Sequence, residues 1–452
     1  MNNDHYNTMK RKIFITVLIL TFLLGASNAQ DAGKELNLSL KEAQEYAIQN
    51  NKMMKSSRLD VDASRMAIWE TISNALPQLS ASGQFTDNLK LMTTLLPGEF
   101  FGQPGTKIPV TFGSQFNTSA SITANLLIFN APLYIGIQTT KLANQLSEKN
   151  LVKTELDTRE AVGNTYFLIL ISERSLEILN QNISNLEETL KATKAMLSAG
   201  MAEQTDVDQM ASNLTMVMNS KSSLERTIVV NYNLMRFQLG LTPETKITLS
   251  QNLESLTDEI KVDALLSQEF DYRQNVDFSL LEAQQKMSEL AVKSSKASVL
   301  PTLAGFYNYG KNGMGDKIND QRWFANSMVG LQLSVPIFAS GQRYSQIKKA
   351  KINMNKAINT KEMVTEQLLL QEKQLRYNLV SANQQYLSQK ENVEVSKRVY
   401  TSTENKFRQG MASSLDLTQA NSLYLQSENN YITALMNLMQ NKLALDKLLN
   451  NM

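Results

Sequence analysis

The chain has 452 residues, 42% of them apolar and 19% charged, with 45 basic against 43 acidic side chains. That apolar share excludes a disordered chain, and the near-neutral balance gives no sign of a nucleic-acid partner. Cysteine is absent and the single histidine is His5, which excludes disulfides and thiolate metal sites and removes the commonest general base, nucleophile and zinc ligands. No spacing of Asp and Glu singles out a catalytic pair, so no enzyme activity, cofactor or metal site is expected.

In chain order, the first element is a secretory signal over residues 1–29. Lys10, Arg11 and Lys12 precede a twelve-residue apolar run, Ile13 to Leu24, and Ser27-Asn28-Ala29 follows with small residues suited to cleavage. An uncleaved anchor is the alternative. Removal of residues 1–29 leaves 42 basic and 42 acidic side chains. No later run of 18 apolar residues follows, so the exported chain does not enter a membrane as helices. If it enters one, it does so as β-strands.

The pattern next predicts a helix over about 38–76, then two period-two segments. Leu79, Ala81, Gly83 and Phe85 alternate with Ser80, Ser82, Gln84 and Thr86; Ala120, Ile122, Ala124 and Leu126 alternate with Ser119, Ser121, Thr123 and Asn125. A loop over 87–115 separates them. A long helix follows over 133–199, which contains only one glycine, Gly163, after residue 136. Its apolar residues Val162, Ile169, Leu176, Ile183, Leu190 and Leu197 keep a strict heptad. The chain then reverses at Gly200, a C′ glycine, and a return helix runs over 203–240 with Val207, Leu214, Ile228 and Met235 in register.

After a connecting segment, 241–275, the same order returns. A helix covers 276–299, and strands fall at 303–309 and 327–335, with Leu303, Gly305, Tyr307 and Tyr309 on one face of the first and Val329, Leu331, Leu333 and Val335 on one face of the second. Trp323, Phe324, Tyr307 and Tyr309 suit an interfacial aromatic girdle. The loop between these strands is 310–322. A second long helix, 342–408, lacks both Gly and Pro and carries Leu379, Tyr386, Val393, Tyr400 and Phe407 at heptad spacing. It reverses at Gly410 into a return helix over 414–449 with Leu417, Tyr424, Leu438 and Leu445. The heptads predict coiled-coil packing with left-handed crossing; an ordinary helical bundle core is the alternative. Each long helix spans 67 residues, about 100 Å at 1.5 Å per residue.

The chain is thus an internal repeat. Ala199-Gly200-Met201-Ala202 matches Gln409-Gly410-Met411-Ala412, Asp206-Val207 matches Asp416-Leu417, and Ile128-Phe129 matches Ile337-Phe338. The expected organisation is a signal (1–29), a first repeat (30–240), a connecting segment (241–275) and a second repeat (276–452). Four strands are too few to close a barrel, and open sheet edges are not tolerated in lipid. The membrane reading therefore requires three copies and twelve strands. Four strands of a half-exposed soluble sheet is the bland alternative.

Strand pairs set between coiled-coil hairpins, twice in one exported chain, resemble the TolC-like outer membrane factors, the outer membrane efflux proteins. Val335-Pro336-Ile337-Phe338 with Gly341 and the two hairpin tips carry the resemblance; Leu127-Ile128-Phe129 lacks the proline. The resemblance implies a mainly α fold with a small β part: long coiled-coil helices forming a trimeric α-barrel joined to a twelve-stranded transmembrane β-barrel, four strands per subunit. It implies a homotrimer in the outer membrane of a Gram-negative bacterium, extending into the periplasm. It implies a passive exit duct of a tripartite efflux pump or type I secretion system, with outer-membrane lipid, a periplasmic adaptor and an inner-membrane RND or ABC transporter as partners. The adaptor-docking tips would be Gly200, Met201 and Ala202 with Gly410, Met411 and Ala412. The periplasmic entrance would be lined by Asp416 and Gln419, where the family has two acidic layers, together with Thr205 and Asp206. The family's closed-state latch uses a Tyr and an Arg, for which the matching residues here are Phe407 and Ala412. Read from the residues alone, Asp206 and Asp416 also suit helix capping and the helix dipole. A periplasmic coiled-coil adaptor without a pore is the competing function.

Overall fold

The computed structural model describes residues 35–102, 104–258 and 261–452; the signal and His5 lie outside the described residues. The elements run β1 (Leu36–Leu38), α1 (Leu40–Asn50), α2 (Lys52–Ser73), β2 (Gln78–Asp87), β3 (Met92–Pro97), β4 (Lys107–Phe112), β5 (Phe116–Phe129), α3 (Ala131–Ser198), α4 (Gln204–Leu239), β6 (Ile247–Leu249), α5 (Leu253–Asp258), α6 (Val262–Ser267), α7 (Val276–Ala297), β7 (Thr302–Gly315), β8 (Arg322–Ser334), α8 (Gln342–Arg408) and α9 (Ser414–Leu448). The helix–strand–strand–long helix–return helix order occurs twice. The chain folds as two compact units, each drawing on both sequence halves: one from the described residues up to Ser57 with Leu151–Asn275 and Glu366–Met452, the other from Arg58–Asn150 and Val276–Thr365.

The first unit is helical around one small parallel strand pair. β1 pairs with β6, Leu36 against Ile247 through Leu38 against Leu249. Its core collects Ala43 and Ala47 of α1, Val162, Tyr166 and Ile169 of α3, Met235 and Leu239 of α4, and Leu435 and Met439 of α9. Each fully buried large apolar side chain of this kind contributes about 1.5–3 kcal/mol. The Tyr166 hydroxyl donates to the Leu38 carbonyl at 3.1 Å, which satisfies the one polar atom that the ring brings inside. Burial pushes its pKa up to about 12.

Two expectations need correction here. The helix expected over 38–76 is a strand and two helices, because Asn51 takes an extended ψ of 135°. Its amide donates to the Gln238 carbonyl at 2.6 Å, and its side-chain oxygen accepts from the Met53 N–H at 2.7 Å. Asn51 thus ends one helix and starts the next. The heptad stripe of α3 is buried only at Val162 and Ile169; at Leu176, Ile183, Leu190 and Leu197 it is half-buried. In that stretch Asn182, Leu186, Thr189 and Thr193 take the buried positions. Asn182 finds a partner on α9, donating to the Asn421 side-chain oxygen at 2.5 Å, while Thr189 and Thr193 satisfy their hydroxyls on the Asn185 and Thr189 carbonyls of α3 itself at 2.9 and 2.8 Å.

The second unit holds a four-stranded antiparallel sheet in the order β2-β5-β7-β8. The register decides the faces. Leu79 pairs with Ala124, Ala124 with Tyr307 and Tyr307 with Val329, so the apolar alternates of all four strands share one face. Ser82 and Ser121 share the other, their hydroxyls 2.9 Å apart. Asn308 donates there to Thr123 at 2.7 Å. β7 and β8 run longer than expected, and the expected loop 87–115 contains a hairpin, β3–β4. Against the sheet's connections, α2 meets the first part of α3 through Ser64–Asn144 (2.8 Å) and Thr71–Thr140 (3.1 Å) hydrogen bonds. No helix among the described residues is long and apolar enough to cross a membrane.

Candidate functional site

The two hairpin tips lie in the helical unit and are built alike. At the first, α3 ends at Ser198 and Gly200 takes φ +74°. The Met201 N–H then reaches the Met196 carbonyl at 2.8 Å and the Gly200 N–H the Leu197 carbonyl at 3.0 Å. The second tip repeats this pair: Met411 to Lys406 at 2.8 Å and Gly410 to Phe407 at 2.9 Å, with Gly410 at φ +72°. Both are Schellman ends, in which a left-handed residue lets two otherwise orphaned carbonyls be satisfied. The reversal leaves Met201 and Met411 exposed and Ala202 and Ala412 half-buried.

Each return helix opens with a capping box. At the second tip the Ser413 backbone N–H and hydroxyl donate to Asp416 at 2.9 and 2.7 Å, and the Asp416 N–H donates back to the Ser413 hydroxyl at 3.1 Å. The Ser413 hydroxyl first, and then its backbone N–H, hold the Asp416 carboxyl below the usual carboxylate range. At the first tip the Glu203 N–H donates to Asp206 at 2.9 Å, with Glu203 as the cap residue. Asp206 also accepts from the hydroxyl of Ser414 on the other hairpin. That hydroxyl is the main cause of its lowered pKa, ahead of the Glu203 backbone. Thr205, Asp416 and Gln419 are exposed, and Thr205 donates to Glu203 at 3.3 Å.

The sequence pattern did not single out Ser413, Ser414 or Glu203. A Ser three residues before an Asp at a helix start is the signal that marks the second box. Nor did it single out Arg408, which reaches Glu188 of the other hairpin at 3.2 Å and Glu404 at 2.9 Å. Phe407 is buried beside Tyr400, Leu417 and Ala420, with Ala412 packed against them. At the two positions matched to the family's Tyr and Arg, the side chains are thus apolar and packed into the interior of the tip. The tips present small turns, carboxylates tied into caps and an apolar interior.

Residues 43–241 and 273–451 match the family Outer membrane efflux protein. The chain belongs to that family. Similar proteins include the Outer membrane protein TolC of Salmonella enteritidis, 23% identical over 357 residues that cover 76% of this chain and 67% of that one. The Proteases secretion protein PrtF of Dickeya chrysanthemi is 18% identical over 344 residues, 76% of this chain and 71% of that one. Among solved structures, the outer membrane protein VceC of Vibrio cholerae superposes with a TM-score of 0.70 at 14% identity, covering 91% of this chain and 95% of that one. As an outer membrane efflux protein the chain is a channel component of the Gram-negative outer membrane that extends into the periplasm, and it is not an enzyme.

Proposed function

We propose that this outer membrane efflux protein works as a homotrimer, a passive exit duct that carries cargo across the periplasm and the outer membrane. The observation that carries this reading is the open sheet: β2 and β8 each have one neighbour, while one face of all four strands is apolar. In lipid two free edges leave unpaired N–H and C=O groups, each costing several kcal/mol. Three copies join edge to edge into twelve strands and leave none. Exposed apolar residues at heptad spacing support the same assembly: Met363, Leu370 and Tyr377 on α8, and Met216, Val230 and Phe237 on α4. Such stripes want helical partners.

On this reading the partners are a periplasmic adaptor, docked at Gly200 to Ala202 and Gly410 to Ala412, and an inner-membrane RND or ABC transporter that supplies energy. Asp416, Asp206, Gln419 and Thr205 line the periplasmic entrance, and the β2–β5 and β7–β8 connections, 88–115 and 316–321, face outside the cell. The name of PrtF, a proteases secretion protein, supports polypeptide export as one cargo class. The test is mass measurement of the membrane-extracted protein in mild detergent, paired with Leu370→Asp and Phe237→Asp. A trimer that falls to monomer in the variants is expected. A stable wild-type monomer extracted from the outer membrane overturns the reading.

A further inference from the structure

The first third of α8 is strongly basic. Residues 342–365 carry Arg343, Lys348, Lys349, Lys351, Lys356 and Lys361 against a single carboxylate, Glu362. Among the described residues, Lys349 and Lys356 form no ion pair. Two other cations of the run spend their charge on rings instead, Lys348 over Tyr344 at 5.7 Å and Lys361 over Phe278 of α7 at 6.0 Å.

Between this stretch of α8, α7 and the start of α3 lies a groove of about 890 Å³, all within the sheet-bearing unit. From α8 it is lined by Gln346, Lys349, Asn353 and Lys356, and from α7 by side chains that include Ser288 and Ser295. The spacing is that of a coiled-coil seam: steps of three and four on α8, and of seven between the two serines. In a closed seam those positions are apolar and interdigitate. Here Gln346, Lys349, Asn353 and Lys356 take such positions on α8, and they stand among small and apolar lining residues such as Leu281, Ala350 and Ala357. None of the residues lining it is Asp or Glu. The Ser288 and Ser295 hydroxyls donate to the Gln284 and Ala291 carbonyls of their own helix at 3.1 and 2.9 Å, so the lining donors beside the two cations are the Gln346 and Asn353 amides. The cations have no counter-charge in the lining, and in a concave wall their potential is focused on whatever enters.

We propose that this groove is an anion-binding site, taking a phosphate or carboxylate group between Lys349 and Lys356, with the Gln346 and Asn353 amides donating beside it. Phosphate and carboxylate oxygens accept the charge-assisted hydrogen bonds that lysine offers. One chemistry has two sources here, the headgroup of an anionic lipid or a soluble anion, and the experiment separates them. The assignment rests on the groove and not on the trimer, so assembly is recorded alongside binding.

Full-length protein in mild detergent is titrated calorimetrically with citrate and with inorganic phosphate. Phosphatidylglycerol and phosphatidylethanolamine retained on it are counted by native mass spectrometry, which also reads the oligomer. Two variants remove the same charge: Lys349→Gln with Lys356→Gln inside the groove, and Lys348→Gln with Lys351→Gln outside it. The expected result is binding of citrate, phosphate or phosphatidylglycerol that weakens about a hundredfold in the groove pair, the scale of two lost charge-assisted hydrogen bonds. The outside pair stays close to wild type, and phosphatidylethanolamine is not selected. Response to the soluble anions identifies a soluble ligand, and response to phosphatidylglycerol alone a lipid headgroup. Absence of all binding, or equal loss in both pairs, overturns the proposal.

Discussion

Two glycines with the same backbone conformation have different structural duties. Gly200 and Gly240 take φ of +74° and +72°, but a Cβ on Gly200 meets nothing within 4 Å, whereas one on Gly240 lies 2.5 Å from the Asn50 carbonyl oxygen. Alanine at Gly200 therefore pays only the left-handed strain, about 1–2 kcal/mol. Alanine at Gly240 must also displace backbone at the α1–α2 junction and is expected to cost about 4 kcal/mol or more. Thermal unfolding in detergent checks the order, and equal shifts would count against it. The same geometry shows that a charged residue at Gly200 or Gly410 mixes strain with charge. Met201→Glu and Met411→Glu probe adaptor docking more cleanly.

The capping carboxylates set a pH dependence. Asp206 and Asp416 are held below their ordinary range in the folded tips. A depressed folded pKa stabilises at pH above the unfolded value and is lost as pH falls through the folded one. Hydrogen-exchange protection of the first turns of α4 and α9 is therefore expected to hold from neutrality to the usual carboxylate range near pH 4 and to fall below it. Ser413→Ala removes the main cause at Asp416, so it should lower protection of α9 at neutral pH and flatten its acid loss. An unchanged acid profile in that variant would show that Ser413 does not set it.

At the scale of elements, α3 changes what it buries along its length. Near Val162 and Ile169 it packs into the apolar core; towards the tip it buries Asn182, Thr189 and Thr193. The Asn182–Asn421 bond satisfies only half of each amide, leaving Asn182 Oδ1 and Asn421 Nδ2 without partners. A buried amide in a helical seam fixes register at a cost in stability. Asn421→Ala strands the other amide and should destabilise by about 1–3 kcal/mol. Asn182→Leu with Asn421→Leu removes both and should be neutral or stabilising. A double-mutant cycle on thermal unfolding in detergent measures the coupling. Additive losses would mean that the two amides do not act together.

At the scale of the whole molecule, the proposed three-fold assembly gives Asp416 a second duty. Three copies around one axis raise the local negative potential and favour cations. Asparagine at this third position of the capping box keeps an oxygen to accept the Ser413 N–H while losing the charge, so Asp416→Asn separates the two duties. Reduced cation preference and weaker block by multivalent cations in bilayer recordings are expected. An unchanged reversal potential would leave Asp416 as a cap alone. Gln419, exposed and uncharged, supplies no second acidic layer, so the expected effect is modest.

The sequence by itself determined the elements whose signal is local. A Gly- and Pro-free run gave α8, Gly200 and Gly410 gave the reversals, and period-two alternation gave all four strands of the main sheet. These follow from a helix period, a left-handed turn and a pleat, which nearest neighbours along the chain decide. Only the tertiary structure decided what depends on partners far away in sequence. Leu36–Leu38 forms a strand because Ile247–Leu249 lies beside it. Asn51 breaks a helix because the Gln238 carbonyl receives its amide. The buried face of α3 turns polar where Asn421 meets it, and Asp206 is tied to Ser414 across the two hairpins. No local pattern encodes such pairings: a side chain's own propensity is weak beside the cost of burying a polar group without a partner.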